Sequence, residues 1–357
     1  MGRRRVSYWC VLLVLTSLHH GSNADPVLTV RFMKLIMMGT GPFAVPIFQA
    51  LLASPHTVAH VMTRPDRNRG GRQAASNPMR SAAEFAGVPI AAPESINSDE
   101  AQQLLRAISA DLFVVCDYGQ ILSRDTLGLA PHGGVNLHAS LLPKYRGAAP
   151  INWAIYHGET ETGVTVIHMT PHLDAGPCLV QRRVDIESQE TADALEPRLA
   201  QLGIEPVLAA IEMIGQHDGM SQLGTLQDQT LASKAPRLHK NDGKVCWERS
   251  ALQIADQVRA MKPWPRTFTE LHREAHPPLR LILAEMSVSN IERGPNLPGR
   301  RVTSDDATRL DVATGSGVLS LNVIQPAGKR AMSSEEFLRG HPIGAEDRLG
   351  GEVSHNA

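Results

Sequence analysis

The sequence KLIMMGTGPFA, residues 34–44, joins a short apolar run to a glycine-containing turn and then to the start of a helical pattern. Leu35–Met38 is apolar at every position, which is typical of a strand buried on both faces. Phe43–Ala53 predicts a helix that begins directly after Gly39 and Gly41. A buried strand that runs straight into a helix is the repeating unit of an α/β protein.

The same alternation of strand and helix continues along the first half of the chain. Further strands are predicted at Val58–Met62, Val88–Ala91, Leu112–Cys116, Val135–His138, Gly163–Met169 and Leu179–Ile186. Helices are predicted at Met79–Ala86, Ser98–Ser109 and Thr191–Gly215, the first with Asn77 as its N-cap and Pro78 at its first position. These elements predict an α/β domain at residues 33–218. Its Rossmann-like, doubly wound parallel sheet would bind ligands at the carboxyl ends of the strands.

A second, smaller domain is predicted after a polar linker at residues 219–236. Short β-rich runs separated by turn residues occur at Thr267–Leu271, Leu279–Leu283, Arg309–Ala313 and Leu319–Ile324. This pattern indicates a small β-barrel-type domain at residues 237–340. Residues 341–357 are polar and are expected to form a flexible tail.

The N-terminus has the pattern of a secretory signal at Met1–Ala24. Arg3–Arg5 precede an apolar run, Tyr8–Leu18, that is too short to span a bilayer. Either the protein is exported, or translation starts downstream and residues 1–32 are a mis-annotated leader. We favour the second interpretation because Met33 directly precedes the first buried strand.

The composition is that of a globular protein without a strong charge bias. The 357 residues suffice for about two domains, and the formal net charge is −1. A nucleic-acid contact would therefore depend on a local basic patch. The cysteines are far apart, which argues against a zinc site and a disulfide framework and fits a reducing compartment; they are Cys10, Cys116, Cys178 and Cys246. Nothing in the sequence requires an obligate partner, so a monomer is expected.

The strongest functional signal is NLHASLLP, residues 136–143. Asn136 and His138 point to the same face of their predicted strand, because strand side chains alternate. Asp174 follows in a glycine-containing loop, where an aspartate is most often a turn residue. Together, an amide, an imidazole and a carboxylate suit a transfer to an amine through a tetrahedral oxyanion. Such a step needs hydrogen-bond donors and a proton acceptor but no metal.

With these residues the chain resembles the 10-formyltetrahydrofolate-dependent formyltransferases. The resemblance rests on Asn136, His138 and Asp174, and on the motif Ser140-Leu141-Leu142-Pro143. It extends over nearly all of residues 34–340 through the motifs at Gly39–Ala44, Pro65–Arg67, Tyr118–Leu122, Tyr145–Ile151, Pro263–Pro265 and Gln325–Lys329. The motifs Arg146–Ile151 and Gln325–Lys329 are similar to those of the members that act on initiator methionyl-tRNA.

The resemblance implies an activity, a site and a cellular setting. 10-Formyltetrahydrofolate would donate the formyl group without a metal. The catalytic residues would be Asn136, His138 and Asp174, and the folate site would be lined by Ser140, Leu141, Leu142 and Pro143. The C-terminal domain would be OB-like and would hold the tRNA. The protein is expected in the cytoplasm, without a membrane contact.

An arginine-rich loop at Arg64–Ser76 is a candidate tRNA contact. Its arginines are Arg64, Arg67, Arg69 and Arg72. Arginine binds phosphates and stacks on unpaired bases, as an acceptor end requires. A solvated loop without a ligand is the alternative, and the spacing differs from the family pattern, so the key arginine is not identified. In the second domain, Lys329 faces either phosphate or solvent.

Two further residues depart from simple expectations. Asp117 stands where the family usually has a small residue, and if buried its carboxyl group needs a partner or has a raised pKa. Trp264, between Pro263 and Pro265, either contacts a ligand or packs in the core at a rigid corner, and we favour the core position.

Three other functions remain open at this point. A formyltransferase acting on a small amine would share the motif at residues 136–143 but would not need an arginine loop, and a purine-precursor enzyme would normally lack the second domain. A catalytically inactive RNA-binding scaffold would not need the three catalytic residues. Gly39, Gly41 and Ala44 also match a dinucleotide-binding turn, but no acidic residue follows at the spacing that an NAD oxidoreductase requires.

Overall fold

The computed structural model describes residues 31–66, 77–217, 222–274, 276–303 and 306–351. The predicted leader therefore lies outside the described residues, except for its last two positions, as do residues 67–76 of the arginine loop. The described residues form an N-terminal α/β domain and a C-terminal domain built on an antiparallel sheet. In this part of the chain, no helix combines the length and apolar composition that crossing a bilayer requires.

The first domain is built on a seven-stranded sheet in the order β3-β2-β1-β4-β5-β7-β8. Its strands, with the short strand β6 that lies outside the sheet, are β1 (Lys34–Met38), β2 (Thr57–Met62), β3 (Ile90–Ala91), β4 (Leu112–Cys116), β5 (Gly134–His138), β6 (Arg146–Gly147), β7 (Glu161–His168) and β8 (Cys178–Asp185). The neighbours from β3 to β5 are parallel, as predicted, whereas β7 and β8 are antiparallel to their neighbours. The short loop between β7 and β8 explains why these two strands are antiparallel to each other, because a parallel connection needs a long crossover.

Helices cover both faces of this sheet. They are α1 (Val45–Ala53), α2 (Pro78–Ala86), α3 (Asp99–Ile108), α4 (Arg124–Leu127), α5 (Pro150–Tyr156), α6 (Ala192–Leu202) and α7 (Ile204–Gln216). Leu35 and Met37 of β1 belong to the core that includes α1, α6 and α7, whereas Ile36 and Met38 belong to the core beneath α3. This alternation confirms the doubly wound arrangement, since successive side chains of a buried strand face opposite layers.

Two helix boundaries show how local sequence sets the fold. The Asn77 side chain accepts a hydrogen bond from the Arg80 amide at 3.1 Å, which confirms the predicted N-cap of α2. The single long helix predicted at Thr191–Gly215 is instead two helices that meet at Gly203. A Cβ at Gly203 would lie 2.5 Å from a methyl group of Leu137, so a larger residue here would have to displace this side chain of β5.

The second domain contains one larger antiparallel sheet, in the order β12-β13-β14-β11-β10-β16, with β15 paired to β14. Its elements, after β9 (Lys234–Ala235), are α8 (Ala251–Ala260), β10 (Phe268–Arg273), β11 (His276–Ser289), β12 (Arg301–Val302), β13 (Asp311–Ala313), β14 (Val318–Pro326), β15 (Met332–Ser333), α9 (Ser334–Gly340) and β16 (Arg348–Leu349). Within the described ranges no strand pairing joins β12 to β16, so the sheet is not a closed barrel. The two edges of the sheet are nevertheless joined by one backbone hydrogen bond. The Leu349 amide of β16 donates to the carbonyl oxygen of Gly299, just before β12, at 2.8 Å.

Part of the predicted tail belongs to this sheet. Arg348–Leu349 pairs with β10, and Leu349 is 4% exposed in the core of the domain. Ile343, also within the predicted tail, is buried in the same core. The segment is polar on average, but its apolar residues Ile343 and Leu349 are buried. The chain therefore stays packed against the domain as far as Leu349. Residues 352–357 lie outside the described ranges.

The two domains contact each other through α5 and α8. The side-chain amide of Asn152 in α5 donates to the Ala260 carbonyl of α8 at 2.7 Å. Arg249, just before α8, donates to the Tyr156 hydroxyl at 2.7 Å, and its guanidinium carbon lies 4.4 Å from the centroid of the Tyr156 ring. This polar junction brings residues of the second domain to the carboxyl edge of the parallel sheet.

Candidate active site

The side chains of Asn136, His138 and Asp174 meet at the carboxyl end of β5. Asn136 and His138 lie two positions apart on that strand, and Asp174 lies in the loop between β7 and β8. The His138 Nδ1 atom is 3.7 Å from Asp174 Oδ2, and both side chains are less than 10% exposed, at 6% and 9%. The Asn136 amide nitrogen is 3.5 Å from Asp174 Oδ1. The structure thus brings Asp174 to two residues from which β6, α5 and β7 separate it in the sequence.

The ring of His138 is held in one orientation by a backbone contact. Its Nε2 atom lies 2.8 Å from the carbonyl oxygen of Tyr145. A carbonyl oxygen only accepts hydrogen bonds, so Nε2 must carry a proton and donate it. In the neutral ring, the atom that can take up a proton is therefore Nδ1, the atom that faces Asp174.

Asp174 is held by its neighbours as firmly as His138. Its backbone adopts φ of 48°, in the left-handed region. Its Oδ2 atom accepts a hydrogen bond from the Gly147 amide at 2.9 Å. Gly147 has φ of 132°, and a Cβ there would lie 2.3 Å from the Ala235 carbonyl oxygen. Only glycine can present this amide to the carboxylate at so close an approach.

These groups border a cavity of about 810 Å³ between the parallel sheet and the second domain. Its apolar lining includes Ile121 and Leu173, which are 58% and 55% exposed. Its rim includes the cationic side chains of Arg64, Arg237 and Lys262. Large apolar groups left open inside a cleft are typical of a ligand site.

Trp264 also lines this cavity, which corrects the prediction that it packs in the core. Its side chain is 50% exposed. The core position is taken by Trp247, which is 2% exposed and whose indole nitrogen donates to Thr269 at 3.0 Å. Because the core of the domain is filled without Trp264, its indole is left at the junction between the domains.

Asp117 forms an acidic part of the cavity wall with Glu196. Asp117 is exposed to the cavity that it lines. Loss of hydration against the cavity wall and, to a smaller extent, the charge of Glu196 together raise the pKa of Asp117 to about 6, although a hydrogen bond from the Gly41 amide partly offsets both effects. Burial also raises the pKa of Glu196. The expectation for Asp117 depended on burial; the residue is exposed to the cavity, and its pKa is nevertheless raised.

This raised pKa makes the stability of the protein depend on pH. Asp117 has an ordinary pKa of 3.8 in the unfolded chain and about 6 in the folded one, so between these values the folded chain binds more protons. Raising the pH through this window therefore lowers the free energy of unfolding. Asp117→Asn removes the effect and keeps an oxygen for the Gly41 amide. We expect the variant to gain stability over the natural chain from about pH 4 to about pH 7, measured by urea unfolding. A stability difference that stays constant across this range would contradict the assignment.

The residues predicted to line the folate site, Ser140–Pro143, do not border this cavity. The Ser140 hydroxyl donates to the Lys144 carbonyl at 2.6 Å, and the Leu142 amide donates to the Thr165 hydroxyl at 3.1 Å. Leu141 packs against the position of Gly163. Leu142 and Pro143 instead line a separate cavity of about 340 Å³. None of these four residues lines the cavity that Asn136, His138 and Asp174 border.

The predicted tRNA contacts are placed only in part. Arg64 lines the cavity beside Gly119. Arg67, Arg69 and Arg72 lie outside the described residues. Lys329 is exposed at the tip of a turn in the second domain and does not border the cavity.

Several site residues were not assigned a role from the sequence. Tyr145 and Gly147 belong to the motif Tyr145–Ile151, but they act through the Tyr145 carbonyl and the Gly147 amide. The residue type does not reveal a role of backbone atoms. Arg237 and Lys262 reach the cavity only through the packing of the second domain. Among the described residues, no group of three His, Cys, Asp or Glu side chains has the arrangement of a metal site.

Comparison with known proteins places this site in context. Residues 33–211 match the family model for formyl transferase, and residues 237–342 match the model for the formyl transferase C-terminal domain. A methionyl-tRNA formyltransferase of Rhodopirellula baltica is 41% identical over 328 residues, covering 89% of this chain and 96% of the relative. One from Desulfotalea psychrophila is 41% identical over 320 residues, covering 89% of this chain and 96% of the relative.

Solved structures share the fold at lower identity. An N-formyltransferase from Helicobacter canadensis, in complex with folinic acid and dTDP-3-aminofucose, gives a TM-score of 0.57 at 17% identity, covering 81% of this chain and 99% of its own. The sugar 3N-formyltransferase WlaRD gives 0.56 at 17% identity, covering 84% of this chain and all of its own, 100%.

Proposed function

This chain belongs to the formyltransferase family, and we propose that its central cavity is where the formyl group of 10-formyltetrahydrofolate passes to the amino group of initiator methionyl-tRNA. Relatives named methionyl-tRNA formyltransferase are 41% identical and align over 89% of the chain. The observation that carries the proposal is the meeting of Asn136, His138 and Asp174 at one wall of a cleft that both domains line.

Asn136 is the proposed donor to the oxyanion. Attack of an amine on the formyl carbon converts its carbonyl oxygen into a negatively charged oxygen, which needs donors already in place. The Asn136 amide has two N–H groups, and one of them is directed at Asp174 over a long 3.5 Å contact. The other is available for the oxygen of the formyl group, and the fixed strand β5 keeps it in position.

His138 and Asp174 are the proposed route for the proton. The attacking amine must lose a proton, and the folate nitrogen that leaves must gain one. Nδ1 of His138 is the ring atom that can accept a proton, because Nε2 is committed to Tyr145. The imidazolium that results would lie 3.7 Å from the Asp174 carboxylate, which carries the opposite charge. The same proton can then pass to the leaving nitrogen, so the reaction is balanced without a further reagent.

We place the folate against the apolar wall of the large cavity. Ile121 and Leu173 are open there, and Met169 lines the same wall. Covering such side chains with a flat heteroaromatic ring removes apolar surface from water, at about 25 cal/mol per Å². The contact of the folate with Ser140–Pro143, which the family resemblance implies, stays a prediction.

We place the aminoacyl end of the tRNA at the junction between the domains. Trp264 offers an exposed ring, and Arg64, Arg237 and Lys262 offer positive charge around the same opening. Unpaired bases stack on aromatic rings, and phosphates pair with cations. The C-terminal domain, in this proposal an incompletely closed OB-like barrel, would hold the body of the acceptor arm, with Lys329 as a candidate phosphate contact. The arginines at positions 67, 69 and 72 stay predictions. A monomer in the cytoplasm fits these substrates.

A direct assay tests the function. We expect the purified protein, mixed with 10-formyltetrahydrofolate and charged initiator methionyl-tRNA, to produce N-formylmethionine that can be released from the tRNA. Uncharged tRNA and free methionine are the matched controls. Formylation of a small amine with none on the tRNA would retain the reaction and reject the tRNA substrate. Absence of transfer to every amine would reject the proposal.

A further inference from the structure

We propose that the segment between the domains, residues 225–235, is a strap that positions His138 and Asp174, with Gln227 and Ser233 as its positioning residues. The proposal rests on the proposed function, because it assigns a catalytic consequence to this geometry. The sequence predicted only a polar linker here. In the structure this segment is tied to the first domain at both ends, through a bridge between Thr225 and Cys178 and through the parallel pairing of β9 with β6.

Gln227 fixes the loop that carries Asp174. Its side chain is 8% exposed. Its amide nitrogen donates to the carbonyl oxygens of Asp174 at 2.8 Å and Gly176 at 2.7 Å. Its oxygen accepts from Arg146, at 3.0 Å from Nε and 2.6 Å from a terminal nitrogen. One buried amide therefore fastens the loop on both sides of Ala175 and holds it against β6.

Ser233 fixes the other partner, His138, through Tyr145. The Ser233 hydroxyl oxygen accepts a hydrogen bond from the Tyr145 amide at 2.8 Å. Tyr145 has φ of 63°, and its carbonyl oxygen holds His138 Nε2 at 2.8 Å. The Tyr145 hydroxyl also donates to Glu159 at 2.8 Å. Because a non-glycine residue rarely adopts this backbone conformation, the contacts around Tyr145 must hold it there.

The strap also determines the position of the amide that binds the Asp174 carboxylate. That amide belongs to Gly147 of β6, and β6 pairs with Lys234–Ala235. The two partners of the His138–Asp174 contact are therefore each fixed by a different part of the same segment. Their separation of 3.7 Å is already longer than a hydrogen bond, so a small displacement would separate them further.

A positioning role predicts a loss of turnover without a loss of binding. Gln227→Glu keeps the pair with Arg146 but replaces both donors to the loop by oxygen atoms that repel its carbonyls. Ser233→Ala removes the acceptor for Tyr145 by deleting one atom. Thr230→Ala is the matched control, because the exposed Thr230 lies on the same segment and bonds only to Asp228.

The test compares kcat, KM and the pH profile of kcat for these variants in the full chain, in the tRNA formylation assay. We expect Gln227→Glu and Ser233→Ala to lower kcat by up to about 10²-fold, with KM for both substrates unchanged and with a changed pH profile. Thr230→Ala should match the natural chain. The proposal would be overturned if kcat of both strap variants equalled that of the natural chain. It would also be overturned if the decrease in kcat matched the fraction of the variant that is unfolded at the assay temperature. A natural chain that fails to formylate tRNA would instead overturn the proposed function.

Discussion

His138→Ala should lower kcat for formylation of methionyl-tRNA by about 10²–10⁴-fold, because it removes the proposed proton acceptor. The imidazole is 6% exposed, and its Nε2 atom is already committed to the Tyr145 carbonyl. Water in the cavity cannot reproduce a base held against a carboxylate. Single-turnover formylation, with the enzyme in excess over charged tRNA, measures the chemical step without the contribution of product release.

The matched control for this variant is His132→Ala. His132 lies just before the amino end of β5, opposite the catalytic end, and its side chain is only partly buried. Both variants lose one imidazole near the same strand, so an effect on general folding should appear in both. Near-natural turnover in His138→Ala would remove this residue from the mechanism. Equal losses in the two variants would mean that the sheet, and not the chemistry, had been damaged.

Asp174→Asn should lower kcat by a similar factor, about 10²–10⁴-fold, although the side chain keeps its size. The amide oxygen can still accept from Gly147, so the loop should keep its position. The variant lacks the negative charge that faces His138 Nδ1 at 3.7 Å, and its amide group directs N–H donors at Asn136 or at His138. The imidazolium that forms during proton transfer then has no counter-charge. Initial rates at saturating concentrations of both substrates measure the loss.

Asp185→Asn is the control for the second variant. Asp185 ends β8 of the same hairpin, and it is exposed and does not border the cavity. We expect its kcat to equal that of the natural chain. If Asp174→Asn retained full activity, the carboxylate would be a structural group that anchors Gly147, and the proton would have to leave by another route.

The parallel half of the fold could be predicted because its signals are local. The apolar run of β4 was predicted with the bounds that it has in the structure, Leu112–Cys116, since a fully buried strand shows no alternation. The cap of α2 was predicted from Asn77 and Pro78 for the same reason, as a cap involves only neighbouring residues. The proximity of Asn136 and His138 could also be predicted, because side chains two positions apart in a strand lie on the same face.

The remainder of the site depends on contacts between distant segments, for which the chain has no local pattern. Asp174 could be connected to His138 only by resemblance, and the roles of Gln227 and Ser233 depend on where a polar segment docks. The prediction for Trp264 was wrong because either Trp247 or Trp264 could fill the core of the second domain. The composition does not show which of the two does so. Closure of the second sheet likewise depends on the edges formed by β12 and β16, short strands that were not predicted.

The parallel pairing of β6 with β9 has a consequence for the order of events during synthesis. A ribosome adds about 5–20 residues per second, and domains tend to fold from the N-terminus as they emerge. The sheet from β1 to β8 and the helices on both its faces are complete in sequence by Gln216. Ser233 and the partner strand of Gly147 are added later. We therefore expect the nascent first domain to pass through an interval in which it is folded but inactive, and to become an enzyme only when the beginning of the second domain has left the ribosome.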